Sequence, residues 1–387
     1  MSFSFFRLTP MATFVPTFAL LAMLMIFAGC DKQHDFATDD SQLKQFEEEL
    51  NSIVESQTAA DAEVVGEQSD AEPSQPTKSG SGMSFVRVKG NQFVNEDGEP
   101  MIFKGLAICC PDKIESDGHW NREHFEVIKS WGANLIRIPI HPSALREKGM
   151  QNYIKLLDDA VAWCSELEMY VIIDWHSIGN LREGKFESND YRTTLKETIT
   201  FWKIISHHFA GNPTVAFYEI FNEPSTGFGE FGECSWPQWK AIAEDIIDSI
   251  YTNDRNVIPL VAGFNWAYDL KGVKADPIDR PGIAYVAHIY AGKCKAPREP
   301  HWEEHFGFVT DRHPLIVTEM GYCLQGDYDY MIDNGSFRHT LMSYLDKKNI
   351  SWCAWIFDPD WAPALIDSYS YRPTHSGKFF KNAMLKK

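Results

Sequence analysis

Two glutamates stand where short apolar runs give way to polar sequence: Glu223 within Asn222-Glu223-Pro224, and Glu319 just after the run at 315–318. A pair of carboxyl groups facing one another across a gap can cleave a glycosidic bond. One gives a proton to the leaving oxygen while the other attacks or stabilises the anomeric carbon. Ionising both at close range is unfavourable, so proximity favours one protonated acid beside one carboxylate. If the two groups stand about 5 to 5.5 Å apart, the outcome is retention through a covalent glycosyl-enzyme. Other residues able to take part close similar runs: Arg137 and His141, His176, His288 and Tyr290, and Trp355.

These residues need a scaffold that brings run ends together. From about residue 85 the chain alternates short apolar runs with amphipathic stretches. The runs at 101–107, 134–140, 170–175, 215–221, 257–263, 283–289, 315–318 and 351–357 make eight candidate strands, and the stretches at 121–131, 150–167, 193–209, 236–251 and 336–348 read as helices. Continuous hydrophobic strands alternating with helices are the pattern of a parallel sheet with covered faces. Eight such units predict an α/β fold, the closed (β/α)8 TIM barrel, whose functional side chains gather at the C-terminal ends of the strands. Glu223 and Glu319, on the fourth and seventh strands, then stand nearly opposite. Residues 85–94, turning at Lys89-Gly90-Asn91, predict a small hairpin that closes the bottom of the barrel. No Gly-x-Gly-x-x-Gly follows the first strand, which removes the usual support for a dinucleotide site.

The run AFYEIFNEP at 216–224, with IIDWH ending at His176, LIRIPI containing Arg137, AHIY ending at Tyr290 and VTEMG around Glu319, resembles glycoside hydrolase family 5, the cellulase-type family. The resemblance extends from about residue 85 to the C-terminus. It implies Glu223 as acid and then base, Glu319 as nucleophile, and Asn222 as the partner of the sugar 2-hydroxyl. Arg137 and Tyr290 would hold Glu319 ionised and oriented, since a cation or hydroxyl donor favours a carboxylate. His176 and His288 would line the cleaved bond, and Trp355 would be the floor beneath the sugar ring, an apolar ring face against its C–H face. The implied activity is retaining, endo-acting hydrolysis of β-1,4-glucan without a cofactor. A β-mannanase or another β-glycanase shares this catalytic core, and a non-catalytic glycan-binding surface protein would require a broken carboxylate pair.

Aromatics outside the core set could lengthen the cleft. Trp266 follows the fifth strand and is counted with the substrate-binding residues; Trp361 follows the eighth, while Trp120, Trp236 and Trp302 could equally be packing. Twelve Trp are more than a core of this size requires. A formal charge of -18 argues against nucleic acid, which is bound through Lys and Arg. A neutral polysaccharide suits the chain better, and it is expected to act as a monomer.

The N-terminus carries Arg7, an apolar run over 11–27 and then Ala28-Gly29-Cys30. This reads as an export signal over 1–29 of the bacterial lipoprotein type, with Cys30 lipidated and the enzyme held at a membrane in the cell envelope. Residues 30–83 hold thirteen Asp or Glu against three Lys and few aromatics, the composition of a disordered acidic linker, within which the helical spacing of Leu43, Phe46, Leu50 and Val54 allows a short helix over about 42–54. The catalytic domain is expected over 84–387. Seven further cysteines leave at least one thiol unpaired, with pairing among Cys234, Cys294 and Cys323 open. None has zinc-site spacing, and no metal is expected.

Overall fold

The computed structural model describes residues 40–67, 82–326 and 328–386. Eight parallel strands close into a barrel: β1 (Lys104–Ile108), β2 (Leu135–Ile140), β3 (Tyr170–Trp175), β4 (Val215–Glu219), β5 (Ile258–Ala262), β6 (Ala284–Tyr290), β7 (Leu315–Gly321) and β8 (Ser351–Phe357). Each falls within or within three residues of a predicted run. Closure is made by β8 pairing with β1 and by β4 pairing with β5. Helices α2 (Arg122–Ser130), α3 (Met150–Glu166), α4 (Leu195–His208), α5 (Trp236–Tyr251), α6 (Arg298–His305) and α7 (Phe337–Lys348) lie between the strands, and α8 (His375–Leu385) follows the last. Local chemistry sets their starts. The Thr194 hydroxyl accepts from the Glu197 amide at the head of α4, and Asn121 does the same for His124 at the head of α2.

Side chains two apart on a strand share a face, and this period builds the barrel interior in layers. The lower layer is apolar, with Leu135, Ile172, Phe217, Val286, Ile316 and Cys353 in one buried cluster. Two residues further along the same strands come Arg137, Asp174, Glu219, His288, Thr318 and Trp355, all buried. The chemistry therefore sits directly on a dry hydrocarbon floor. The predicted hairpin pairs Arg87–Lys89 with Gln92–Val94, and a third short strand, Pro100–Met101, joins it. Its Phe93 ring lies 5.2 Å from Phe217 and 5.8 Å from Phe103, edge to face, and plugs the barrel bottom.

One expectation is corrected. Within the stretch expected to be a disordered linker, Asp40–Glu67 forms a single helix, α1, compact with the barrel and packed on α4. Leu43, Phe46 and Leu50 fall on one face and are buried, while Glu47 pairs with Lys196 and accepts from Thr194. Composition alone favoured disorder. The spacing of a few apolar residues overrode it, because a stripe at helical period can be buried however acidic the opposite face is. The signal segment and Cys30 lie outside the described residues. Among the described residues no helix is long and apolar enough to cross a membrane.

If α1 is part of the fold, Leu50→Ala should destabilise the protein by about 2–4 kcal/mol, as expected for a buried Leu. The midpoint of chemical denaturation reads this directly, and an unchanged midpoint would restore the disordered linker.

Candidate active site

Arg137 on β2 is the hub. Its Nε and Nη2 donate to Glu219 at 2.8 and 3.0 Å, Nη1 donates to Glu319 Oε1 at 2.8 Å, and Nη2 also reaches Asn222 Oδ1 at 2.6 Å and Asp174 Oδ2 at 2.9 Å. The other Glu319 oxygen accepts from the Tyr290 hydroxyl at 2.9 Å. Both Glu319 oxygens thus face donors, which is the setting of a carboxylate rather than an acid. Burial leaves the Glu319 carboxyl above its ordinary range, although the charges of His288 and Arg137 oppose the rise.

His288 on β6 joins the two halves. Its Nδ1 lies 2.7 Å from Glu223 Oε1 and 3.7 Å from Glu319 Oε2, and its Nε2 lies 3.0 Å from the Thr318 hydroxyl and 3.4 Å from Glu219. Burial alone would strip its proton. The surrounding Glu319, Glu219 and Glu223 carboxyls win and raise its pKa to about 9. Burial raises Asp174 strongly against the pull of Arg137, whereas Glu219, although buried, is held low by Arg137 and His288. Arg137 and His288 thus place positive charge among the Asp174, Glu219 and Glu319 carboxyls. Asp174 Oδ1 is buried with no hydrogen-bond partner among the described residues.

An oxygen of Glu223 and an oxygen of Glu319 lie within 4.8 Å of one another, with a His288 nitrogen equally close. That is well short of the roughly 6.5–9.5 Å an inverting pair needs for a water. These three side chains are also the described group whose ligand atoms lie close enough together to hold a cation. Beside them, Trp355 lies buried and parallel to His176, ring centroids 5.5 Å apart at 7°, with the Arg137 guanidinium 5.8 Å from its ring centroid. His176 is held by Asp174 at 2.6 Å, and burial with neighbouring positive charge keeps it neutral. Asn222 has a fixed orientation, because its oxygen accepts a hydrogen bond from Arg137. Its Nδ2 is consequently a buried donor without a partner, which costs about 1–3 kcal/mol until a ligand supplies an acceptor.

A family model described as Cellulase (glycosyl hydrolase family 5) matches residues 94–360. The chain belongs to glycosyl hydrolase family 5. Among solved structures, the family 5 chain is similar to the β-glucanase SdGluc5_26A from Saccharophagus degradans in complex with cellotetraose. The two share 40% identity and a TM-score of 0.77, over 82% of this chain and 98% of that one. Among curated proteins it is 30% identical to endoglucanase A of Butyrivibrio fibrisolvens over 73% of this chain, and 26% identical to an endoglucanase of Clostridium saccharobutylicum over 74%. The chain spans 62% and 60% of the length of those two relatives.

Of the expected family 5 residues, Arg137, Asn222, Glu223, His288, Tyr290 and Glu319 converge on one point, with His176 and Trp355 alongside. Trp266 stands apart from this cluster and is tied to it through Glu187, which accepts from its Nε1 at 2.9 Å and lies in the field of Glu223. Trp361 is at the other end, 6.1 Å from Trp355. Trp120, Trp236 and Trp302 are packing: Trp302 is fully buried, Trp120 packs on Phe125, and Trp236 donates to the Asp276 carbonyl. The seven described cysteines are all free thiols, so none of the open pairings is formed. Reading run ends missed Glu219 and Asp174. Their signal was present, since each is a lone acid inside an otherwise apolar strand.

The His288 cation makes a pH prediction. A folded pKa of about 9 is above the ordinary histidine value, so the stability it contributes is complete below pH of about 6.5 and is lost as pH rises through about 9. Turnover should fall over the same alkaline range as Glu223 loses its charged partner. In His288→Gln, residual activity should lack that limb; the same limb in the variant would assign it to another group.

Proposed function

We propose that this family 5 protein is a retaining, endo-acting hydrolase of β-1,4-glucan working by double displacement. The observation that carries the reading is the closeness of the Glu223 and Glu319 oxygens. The β-glucanase and endoglucanase identities of its relatives support the choice of sugar.

A glucosyl ring stacked on Trp355 brings its anomeric carbon over Glu319. A Glu319 oxygen forms the new C–O bond as the glycosidic C–O bond breaks, and Glu223 delivers its proton to the departing oxygen. The carboxylate left on Glu223 faces the His288 imidazolium, so charge appears where an opposite charge is already placed. The same Glu223 then takes a proton from water, whose oxygen displaces Glu319 from the anomeric carbon. Two inversions give net retention. The unpartnered Nδ2 of Asn222 is a donor for the ring hydroxyl next to the anomeric carbon, a contact that strengthens in the transition state.

The two carboxyl roles can be separated. Proton NMR of cellopentaose hydrolysis should show the β anomer first, and Glu319→Ala should abolish turnover. Glu223→Ala should lose about 100- to 10,000-fold with sugar leaving groups, and added azide should restore cleavage of an activated aryl cellobioside to give the β-glycosyl azide. An α-product first, or azide rescue of Glu319→Ala to the β-azide, would overturn the assignment. A parallel assay on glucomannan, galactomannan, laminarin and xyloglucan decides the preferred glycan.

We also propose export and anchoring through a lipid on Cys30. The basic residue, apolar run and Ala-Gly-Cys sequence of 1–30 support this. Cells fed a labelled fatty acid should label the wild type and not Cys30→Ser, and the variant should be released from the membrane fraction. Label retained in the variant would refute the anchor.

A further inference from the structure

The acid/base is not the last polar group on its side of the cleft. With the sugar that bears the reacting carbon on Trp355 and the proton donor at Glu223, the departing part of the chain must lie beyond Glu223. Four loops meet there. Glu223–Pro224 pairs with Ile178–Asn180, and Lys185–Phe186 pairs with that segment in turn, which brings Glu187 close. The turns at Gly227–Gly229, Phe264–Ala267 and Ala291–Lys293 supply Phe228, Trp266 and Lys293.

Three features of this corner are unexplained by packing. First, Asn265, Trp266 and Ala267 have φ of +56°, +53° and +54°, and Phe228 has +55°, a left-handed backbone that side chains disfavour and that persists only when surroundings enforce it. Second, besides the backbone hydrogen bonds that close the turn between Phe264 and Asp269, charged groups hold it: Glu187 accepts from the Trp266 indole, while Lys293 Nζ donates to the Asn265 carbonyl at 3.2 Å and stands 5.3 Å from the Trp266 ring centroid. Lys293 makes no ion pair among the described residues, although it feels Glu223, Glu319 and Glu187, and one of its three N–H groups is used. A Cβ on Gly292 would come within 2.5 Å of the Tyr330 backbone, so the turn that carries Lys293 is fixed. Third, Phe228 is 73% exposed with its ring 5.3 Å from that of Trp266.

We propose that Glu187 and Lys293 clamp Trp266 in its left-handed turn, so that Trp266 and Phe228 form an aromatic platform for the departing glucosyl residues while Lys293 offers its remaining donors to their hydroxyls. Glu187 is a positioning residue acting through Trp266; Phe228 and Lys293 touch the sugar. This rests on the glucanase reading above and extends it to the far side of the cleaved bond.

The test compares cellopentaose, which places sugars on both sides of the bond, with 4-nitrophenyl β-cellobioside, whose departing group is a phenol. Wild-type activity on both is measured first. A wild type inert on both would overturn the glucanase reading and the platform with it. With that activity in hand, Phe228→Ala and Lys293→Met should each lower kcat/KM for cellopentaose about tenfold relative to the aryl substrate, chiefly through KM, as expected for lost binding contacts. Lys293→Arg should recover most of the loss, and Glu187→Gln should behave like the platform variants if it acts by holding Trp266. Phe228 is exposed, so its variant keeps the test valid should Glu187→Gln fail to fold. Equal losses on both substrates, or no change in the ratio for Phe228→Ala and Lys293→Met, would overturn the platform.

Discussion

One guanidinium, fully buried in the barrel, is the constraint on which the rest depends. Arg137 touches Glu219, Asp174, Asn222 and Glu319 at once, and no other described cation reaches the first three except His288 at the edge of Glu219. Removing one member of a buried charged group leaves its partners uncompensated, at about 3–5 kcal/mol. Here three of the partners are carboxyls, whose mutual repulsion Arg137 offsets. Stability and catalysis are therefore not separable at this residue, since the group that makes the layer tolerable is also the group that aims the nucleophile. The apolar layer beneath sharpens both effects, because charges on a hydrocarbon floor interact more strongly than charges in water.

Glu319 and Glu223 are held in different ways, and the difference suits the proposed roles of nucleophile and acid/base. Glu319 belongs to β7 and is gripped by donors from two other barrel strands, β2 and β6, so its oxygens are fixed where an anomeric carbon must arrive. Glu223 lies past the end of β4, on a two-residue bridge to the loop after β3, with His288 as its charged neighbour. It must serve two oxygens in succession, the departing one and that of water. A group anchored at the barrel rim, opposite a rigid nucleophile, can meet both without disturbing the charged layer.

Legibility in the sequence followed this division between strand and loop. Eight strands could be read because a strand buried on both faces is a continuous apolar run, and the residue that ends it is placed by geometry that all such barrels share. Arg137, His288, Tyr290 and Glu319 were found on that basis. Glu219 and Asp174 share a layer with Arg137 and His288 but escape the same criterion, because the apolar run continues past each of them, to Phe221 and to Trp175. Glu187, Phe228 and Lys293 could not be found this way at all. Loop residues acquire neighbours through turns such as the left-handed stretch at 265–267, and nothing in the local pattern there announces which distant loop will supply Glu187.

The helix α1 shows the reverse error, in which a bulk property outweighed a pattern. Thirteen acids in residues 31–83 made disorder the natural inference, yet charge matters to burial only on the face that is buried. Leu43, Phe46 and Leu50 turn inward and leave Glu48, Glu49 and Glu55 exposed, while Glu47 meets Lys196 and Thr194. Net charge describes what a segment exposes, while spacing describes what it can bury. The two are independent until a partner surface exists, and the barrel's own helix α4 provides it.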